Sequence, residues 1–314
     1  MDSSANHALL ARIAGRGTVS HRWTSTSAEQ GRLQAWQRAL LNSLDLQESA
    51  HPSAVTSALG AGLESVTGDW LHAQPVHLAA GLNEVTLVPL QGEFALSSDE
   101  LAAIAPTLSE HLAQTTLRFH QTRGNQWLIE SQDQWKVRTV ATEFAINSDW
   151  NAALPEGEDA GQIRRLMTEM QMLLHDHPVN QRRSSRGLPT VNSLWFWGNG
   201  QTQRAPKAQR LTCVGTHEYL LGACKLHDWQ VSAPTTMGDA LADVGDRDGA
   251  VWVVECADMN ELESRWLSPA IAELKRGKLH RIDLIFDTWE ISIDRWQLRR
   301  FWRRDRSPSE WARA

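Results

Sequence analysis

The stretch from His175 to Gly200 is the part of this sequence best equipped to do chemistry. It reads His175-Asp-His-Pro-Val-Asn-Gln-Arg-Arg-Ser-Ser-Arg-Gly-Leu-Pro-Thr-Val-Asn-Ser-Leu-Trp-Phe-Trp-Gly-Asn-Gly200. His177, Asn180, Arg183, Arg186 and Asn192 fall in a polar turn between an apolar helical pattern and an apolar strand pattern. That placement brings several hydrogen-bond donors to one edge. Gly198 and Gly200 allow close backbone approach or a positive φ just after the strand. Such an edge suits a phosphate or a carboxylate, which guanidinium forks and backbone N–H groups recognise well. The same residues serve equally well as structural pins, with His177 and Asn180 capping the helix and Asn192 anchoring the turn. His175 reads as structural.

Other reactive residue types are scattered. His175, His177, His217 and His227 offer imidazoles to a metal, but their spacing fits no ligand scheme. No Gly-x-Ser-x-Gly elbow, Gly-x-Gly-x-x-Gly turn or phosphate loop occurs. Ser27 followed by Gln30 forms a capping box ahead of a helical pattern. The stretch Arg295-Trp-Gln-Leu-Arg-Arg-Phe-Trp-Arg-Arg304 is basic and aromatic, a pairing that serves nucleic acid, anionic lipid or an acidic partner. The plainer expectation there is a final amphipathic helix capped by Asp294, with Trp296, Phe301 and Trp302 docked on the core.

Elements of both kinds must position these residues. Helical periodicity covers 5–15, 27–44, 51–63, 97–114, 160–175, 216–226 and 260–277. Strand patterns cover 76–80, 84–90, 115–121, 125–130, 134–138, 191–197, 249–255 and 281–286, with a hairpin signal at Gly124-Asn125. After the polar boundary at 199–209, helix and strand alternate, which implies a parallel sheet covered on both faces.

With 314 residues and 41% hydrophobic content the chain can bury one large core or two smaller ones. A net charge of −6 gives no global pull toward nucleic acid or anionic membrane. No run is long and apolar enough to span a bilayer, and the N-terminus lacks the pattern of a signal peptide, so a cytoplasmic location with no membrane partner is expected. Cys213, Cys224 and Cys256 are odd in number and form no Cys-x-x-Cys pair, which fits free thiols in a reducing compartment. The 15 Trp sit mostly inside apolar runs and are expected to fill the core and its seams.

The helix Glu169-Met-Gln-Met-Leu-Leu174 running into His-Pro-Val-Asn180, Arg183, Val191-Asn-Ser-Leu-Trp195 and Gly198-Asn-Gly200 resembles the hallmark of RpfE-type regulatory proteins. Gly68-Asp-Trp-Leu-His-Ala-Gln-Pro-Val-His-Leu78 and Arg300-Phe-Trp-Arg-Arg304 extend the resemblance over most of residues 60–304. The same stretch is similar to archaeal-type cofactor-independent phosphoglycerate mutases, which read His-Pro-x-Asn, Arg, Gly, Pro-Ala-Asn and then Arg-Gly-x-Gly. The resemblance implies an α/β fold: a degenerate sandwich core like that of alkaline phosphatase, with an inserted α/β domain. Residues 67–205 would be the insert, and residues 1–66 with 206–314 the core.

That family works with a first-strand carboxylate, a Ser or Thr nucleophile and two divalent metals held by Asp and His. The first strand and its Asp-Gly have no counterpart in the 314 residues. Ser27 is the nearest match to the nucleophile. Asp258 matches one metal-binding carboxylate, but no His follows it. Asp287 matches another, with Thr288 where a His belongs. Trp197 stands where the mutase has Arg. Asp258 and Asp287 alone would hold at most one Mn²⁺ or Mg²⁺. The resemblance thus implies a relative without cofactor or catalysis, binding a phosphorylated small metabolite or a protein partner at the 177–200 edge. A working metal-dependent mutase or phosphatase is the alternative, and a nucleic-acid or protein-interaction module at the Arg/Trp terminus a second.

Overall fold

A computed structural model describes residues 8–21, 30–63, 68–81, 85–146, 148–233, 237–242, 248–255, 259–286, 289–307 and 310. Its longest strand, β2 (Asp69–Ala80), organises the largest sheet. Sequence periodicity marks only its second half, because Trp70, Leu71 and Ala73 are buried on both faces and the strand does not alternate. β2 pairs antiparallel with β5 (Trp127–Ser131) through 69–72, with β8 (Ser193–Trp197) through 72–76 and with β3 (Val85–Pro89) through 76–80. Pro75 falls between the β5-paired and β3-paired stretches, where a missing N–H costs least. The hairpin of β4 (Leu117–Gln121) and β5 closes over Asn125, whose φ is +58°. The small pair β6 (Val137–Arg138) and β7 (Glu156–Gly157) lies beside this sheet in the chain.

Helices cover that sheet. α4 (Ser98–Leu112) starts with the expected capping box, as Ser97 Oγ accepts from Glu100 N and Glu100 accepts from Ser97 N. α5 (Thr142–Ile146), α6 (Trp150–Ala153) and the amphipathic α7 (Ala160–His175) follow. The apolar stripe of α7 (Ile163, Leu166, Met167, Met170 and Leu174) joins a core drawn entirely from residues 71–197. The segment expected as a polar turn after α7 is instead a helix, α8 (Pro178–Ser185), with His177 as its N-cap and Pro178 in its first turn. Its weak apolar pattern hides it, but a capped N-terminus with Pro inside is a strong start signal.

Two smaller sheets flank this unit. β10 (Val231–Ser232), β9 (Leu211–Val214) and β11 (Gly249–Trp252) run parallel, with α9 (Glu218–Leu226) as crossover after β9. They share a core with α2 (Ala35–Ser43). The strand over 281–286 does not extend that parallel sheet. It is β12 (Arg281–Phe286), antiparallel to β13 (Trp289–Asp294), which pairs on its other side with β1 (Thr18–His21). A third core joins α1 (Ala8–Arg16) to α12 (Ser268–Arg276) and this sheet. α10 (Met237–Ala242), α11 (Met259–Glu261) and π-helical turns over Leu262–Leu267 complete the described α- and π-helices.

α3 (Ser53–Gly60) binds the parts together. One side packs Ala54, Val55 and Ala58 on Trp70 and Leu128 of the large sheet. The other lies backbone to backbone on α9, where a Cβ at Gly222 would come within 1.7 Å of Thr56 O and one at Gly60 within 1.7 Å of Glu218 O. Only glycine permits that approach. The expected C-terminal helix is absent. Asp294 does cap, accepting from Trp296 N and Gln297 N, but only a 3₁₀ turn over Gln297–Arg299 follows. Among the described residues no helix is long and apolar enough to cross a membrane. Cys213 and Cys224 are buried free thiols; the hydrogen bond between them, and then burial, hold Cys224 protonated, while Cys256 lies outside the described residues.

Candidate ligand cavity

The polar residues of the 177–200 edge turn inward. Asn180 is buried; its Nδ2 donates to Leu174 O at 2.7 Å and Val191 O at 2.8 Å, and its Oδ1 accepts from Val191 N at 2.7 Å. Arg183 has 0% side-chain exposure, and its fork donates to Glu100 Oε2 at 3.0 Å, Phe94 O at 2.7 Å and Pro189 O at 2.7 Å. Asn192 exchanges two hydrogen bonds with the backbone of Leu78. His177 Nδ1 accepts from Val179 N, and burial, then Arg182, depresses its basicity. Arg186 is exposed at the C-terminus of α8. Asn180, Arg183, Asn192 and His177 therefore fasten α8 and the entry to β8 against α4, α7 and β2, while Arg186 takes no part. The four histidines considered as metal ligands sit on separate features, and among the described residues no three His, Cys, Asp or Glu converge on one point. Ser27, Asp258 and Asp287 lie outside the described residues.

The Gly-x-Gly turn is fixed from both sides. Gly198 (φ +82°) and Gly200 (φ +143°) need conformations that other residues rarely adopt. Gly198 N donates to Thr139 Oγ1, Gly200 N donates to Asp69 Oδ1, and Gly198 O accepts from Ala54 N at the start of α3. Burial pushes the Asp69 carboxyl up, against three backbone N–H donors from Gly200, Trp135 and Trp70. A Cβ at Gly198 would press on Ser53 Cβ at 3.0 Å and His72 Cδ2 at 3.1 Å.

Beside this turn lies a cavity of about 270 Å³. Its walls come from the start of α2 (Gln34, Gln37), the middle of β2 (His72, Gln74), the β4–β5 turn with Trp127, the end of β8 (Trp197) and His217 ahead of α9. His72 stacks on Trp197, ring centroids 4.4 Å apart, and its Nε2 meets Ser53 Oγ at 2.9 Å. Ser53 is itself held by the Gln37 amide at 2.7 Å, so the hydroxyl is fully engaged behind the wall. Gln74 Oε1 accepts from Trp197 Nε1 at 3.3 Å and from Thr142 Oγ1. His217 Nδ1 accepts from Tyr219 N as the N-cap of α9, and its Nε2 lies 3.4 Å from Gln126 Nε2. Trp36 packs edge-on to His217 with centroids 4.5 Å apart. The Trp127 indole N–H is buried without a hydrogen-bond partner.

The cavity is neutral. Its described lining contains no Lys, Arg, Asp or Glu. Burial lowers His72 to about 3, and burial lowers His217 to about 4, so both rings are uncharged at neutral pH. Charging His217 at pH 7 to hold an anion would cost about 4 kcal/mol. The side-chain amides of Gln34, Gln37, Gln74 and Gln126 supply most of the polar groups of this lining. Two clues to this site stand in the sequence, His72 within the 68–78 motif and Trp197 in the place of an Arg. The rest come from segments as far apart as Gln34 and His217, and nothing local signals their approach.

No family model matches the chain. Over 54 residues it is 43% identical to the 2,3-bisphosphoglycerate-independent phosphoglycerate mutase of Methanothrix thermoacetophila, which is 17% of this chain and 14% of that protein. Over 114 residues it is 30% identical to the same-named protein of Methanosarcina mazei, covering 36% of this chain and 28% of that protein. The matched stretches thus span well under a third of these relatives. Among solved structures, a cofactor-independent phosphoglycerate mutase from Thermoplasma acidophilum aligns with a TM-score of 0.42 at 15% identity, covering 91% of this chain and 81% of that one. A protein named PH0037 from Pyrococcus horikoshii aligns with a TM-score of 0.49 at 15% identity, covering 92% and 80%. The chain is a mixed α/β protein with distant similarity to cofactor-independent phosphoglycerate mutases.

Proposed function

We propose that this chain is a non-catalytic, ligand-binding relative of the cofactor-independent phosphoglycerate mutases, of the RpfE type, and that it binds a small uncharged, oxygen-rich molecule in the cavity beside Gly198. The observation that carries the reading is the neutral, amide-lined wall of that cavity, with the Trp197 indole where the resemblance calls for an arginine. A phosphoryl group needs cationic or metal partners, and the described lining supplies neither. The sequence reinforces this, since no His follows Asp258 and Thr288 replaces the other expected imidazole. In this reading residues 67–205 are the inserted α/β unit, and residues 1–66 with 206–314 correspond to the phosphatase-like core. The 177–192 residues hold the cavity wall in place and do not touch the ligand.

Paired probes test it: glycerol against glycerol phosphate, ribose against ribose 5-phosphate, and 3-phosphoglycerate with Mn²⁺ or Mg²⁺. The uncharged member of a pair is expected to quench Trp fluorescence and raise the thermal midpoint, with both effects absent in Trp197→Ala. Interconversion of 3- and 2-phosphoglycerate, or preferential binding of the phosphorylated members, would overturn the reading.

A further inference from the structure

We propose that the surface from Trp296 to Arg304 docks an acidic segment of a partner protein that carries apolar side chains among its carboxylates. This stretch presents three large rings to solvent: Trp296 is 72% exposed, Phe301 80% and Trp302 68%. Arg299 lies over the Trp296 ring at 5.0 Å, and Phe301 meets Trp302 edge-on at 5.3 Å. Among the described residues, Arg299, Arg303 and Arg304 form no ion pair. The surface is held rather than frayed. Leu298 is buried beneath it, its carbonyl accepts from Arg16 Nη1 at 2.9 Å, and Arg306 N donates to Ala11 O.

Exposed rings at this density are costly in water, and each would bury roughly 150–250 Å² against a partner. Cations interleaved with the rings require that partner to be negative as well as apolar. Composition separates a protein from other anions. Trp, Phe and Arg are the residues enriched at the centres of protein interfaces, where Lys is depleted, and no lysine follows Lys278 in this chain. Surfaces for nucleic acid or anionic lipid use lysine as freely as arginine.

The test selects peptides from a random display library against the full chain, with counter-selection on a Trp302→Ala, Arg303→Glu, Arg304→Glu variant. These side chains are exposed, and an unchanged urea midpoint confirms that the variant is folded. Peptides rich in Asp and Glu interspersed with Leu or Phe are expected. A synthetic copy should bind the full chain at least about tenfold more tightly than the variant and weaken with added salt. Peptides without acidic enrichment, equal binding to the variant, or tighter binding of oligothymidylate or of phosphatidylserine vesicles than of any selected peptide would overturn the proposal.

Discussion

At the scale of single residues, the cavity is governed by two imidazoles kept neutral by burial. For a base whose folded value lies below its unfolded one, the unfolded chain takes up protons first. Stability from His72 and His217 is therefore fully present above the ordinary value of 6.5 and is lost as pH falls toward about 4 for His217 and about 3 for His72. The slope is about 1.4 kcal/mol per pH unit for each ring. Urea unfolding at a series of pH values should show this decline beginning near neutrality. His217→Asn, which keeps a side-chain oxygen for the α9 N-cap, should remove one ring's share of that slope between pH 6.5 and 4 and leave the share of His72. A variant with undiminished pH dependence would show that His217 is charged in the folded state.

At the scale of elements, Arg183 ties α8 to α4 and to the loop after β3. An arginine in a polar stretch reads as a ligand-binding fork, yet this one is wholly buried, with Glu100 at 3.0 Å and two carbonyls completing its donors. Removing this guanidinium leaves the carbonyls of Phe94 and Pro189 without their donor, at about 1–3 kcal/mol for each. Arg183→Met should lower the unfolding free energy by that amount, while ligand affinity per folded molecule stays unchanged because the cavity does not contain this side chain. A large loss of affinity without loss of stability would return Arg183 to the binding site.

At the scale of the molecule, contacts between distant segments decide how the parts hold together. His51 and His227 are buried with their Nε2 atoms 2.8 Å apart, and their Nδ1 atoms rest on the carbonyls of Gln47 and Ala205. The pair thus joins the entry to α3, the exit from α9 and the polar stretch after β8. Losing one ring leaves a buried nitrogen unsatisfied, at about 1–3 kcal/mol. His51→Leu and His227→Leu should each destabilise by that amount, and the double variant by less than their sum. Additive losses in this cycle would show that the rings are uncoupled.

The sequence by itself determined the local elements that carry a strong signal: the capped α4, the striped α7, the buried β8 and the two glycines after it. Each is written in neighbouring residues through periodicity, capping or φ preference. It also carried a distant similarity to phosphoglycerate mutases. Tertiary structure decided the rest. The front half of β2 was illegible because burial on both faces erases alternation, and α8 because its helix rests on a cap and on Asn180 and Arg183 rather than on an apolar stripe. The 281–286 strand could not be assigned to its sheet, since strand pairing is a relation between segments that periodicity along one segment cannot express. The final stretch has the composition of an amphipathic helix, yet its rings face water once Leu298 alone is buried. The cavity is the clearest case. Its character comes from imidazoles made neutral by burial and from side-chain amides of distant segments, and both are properties of surroundings assembled from across the chain.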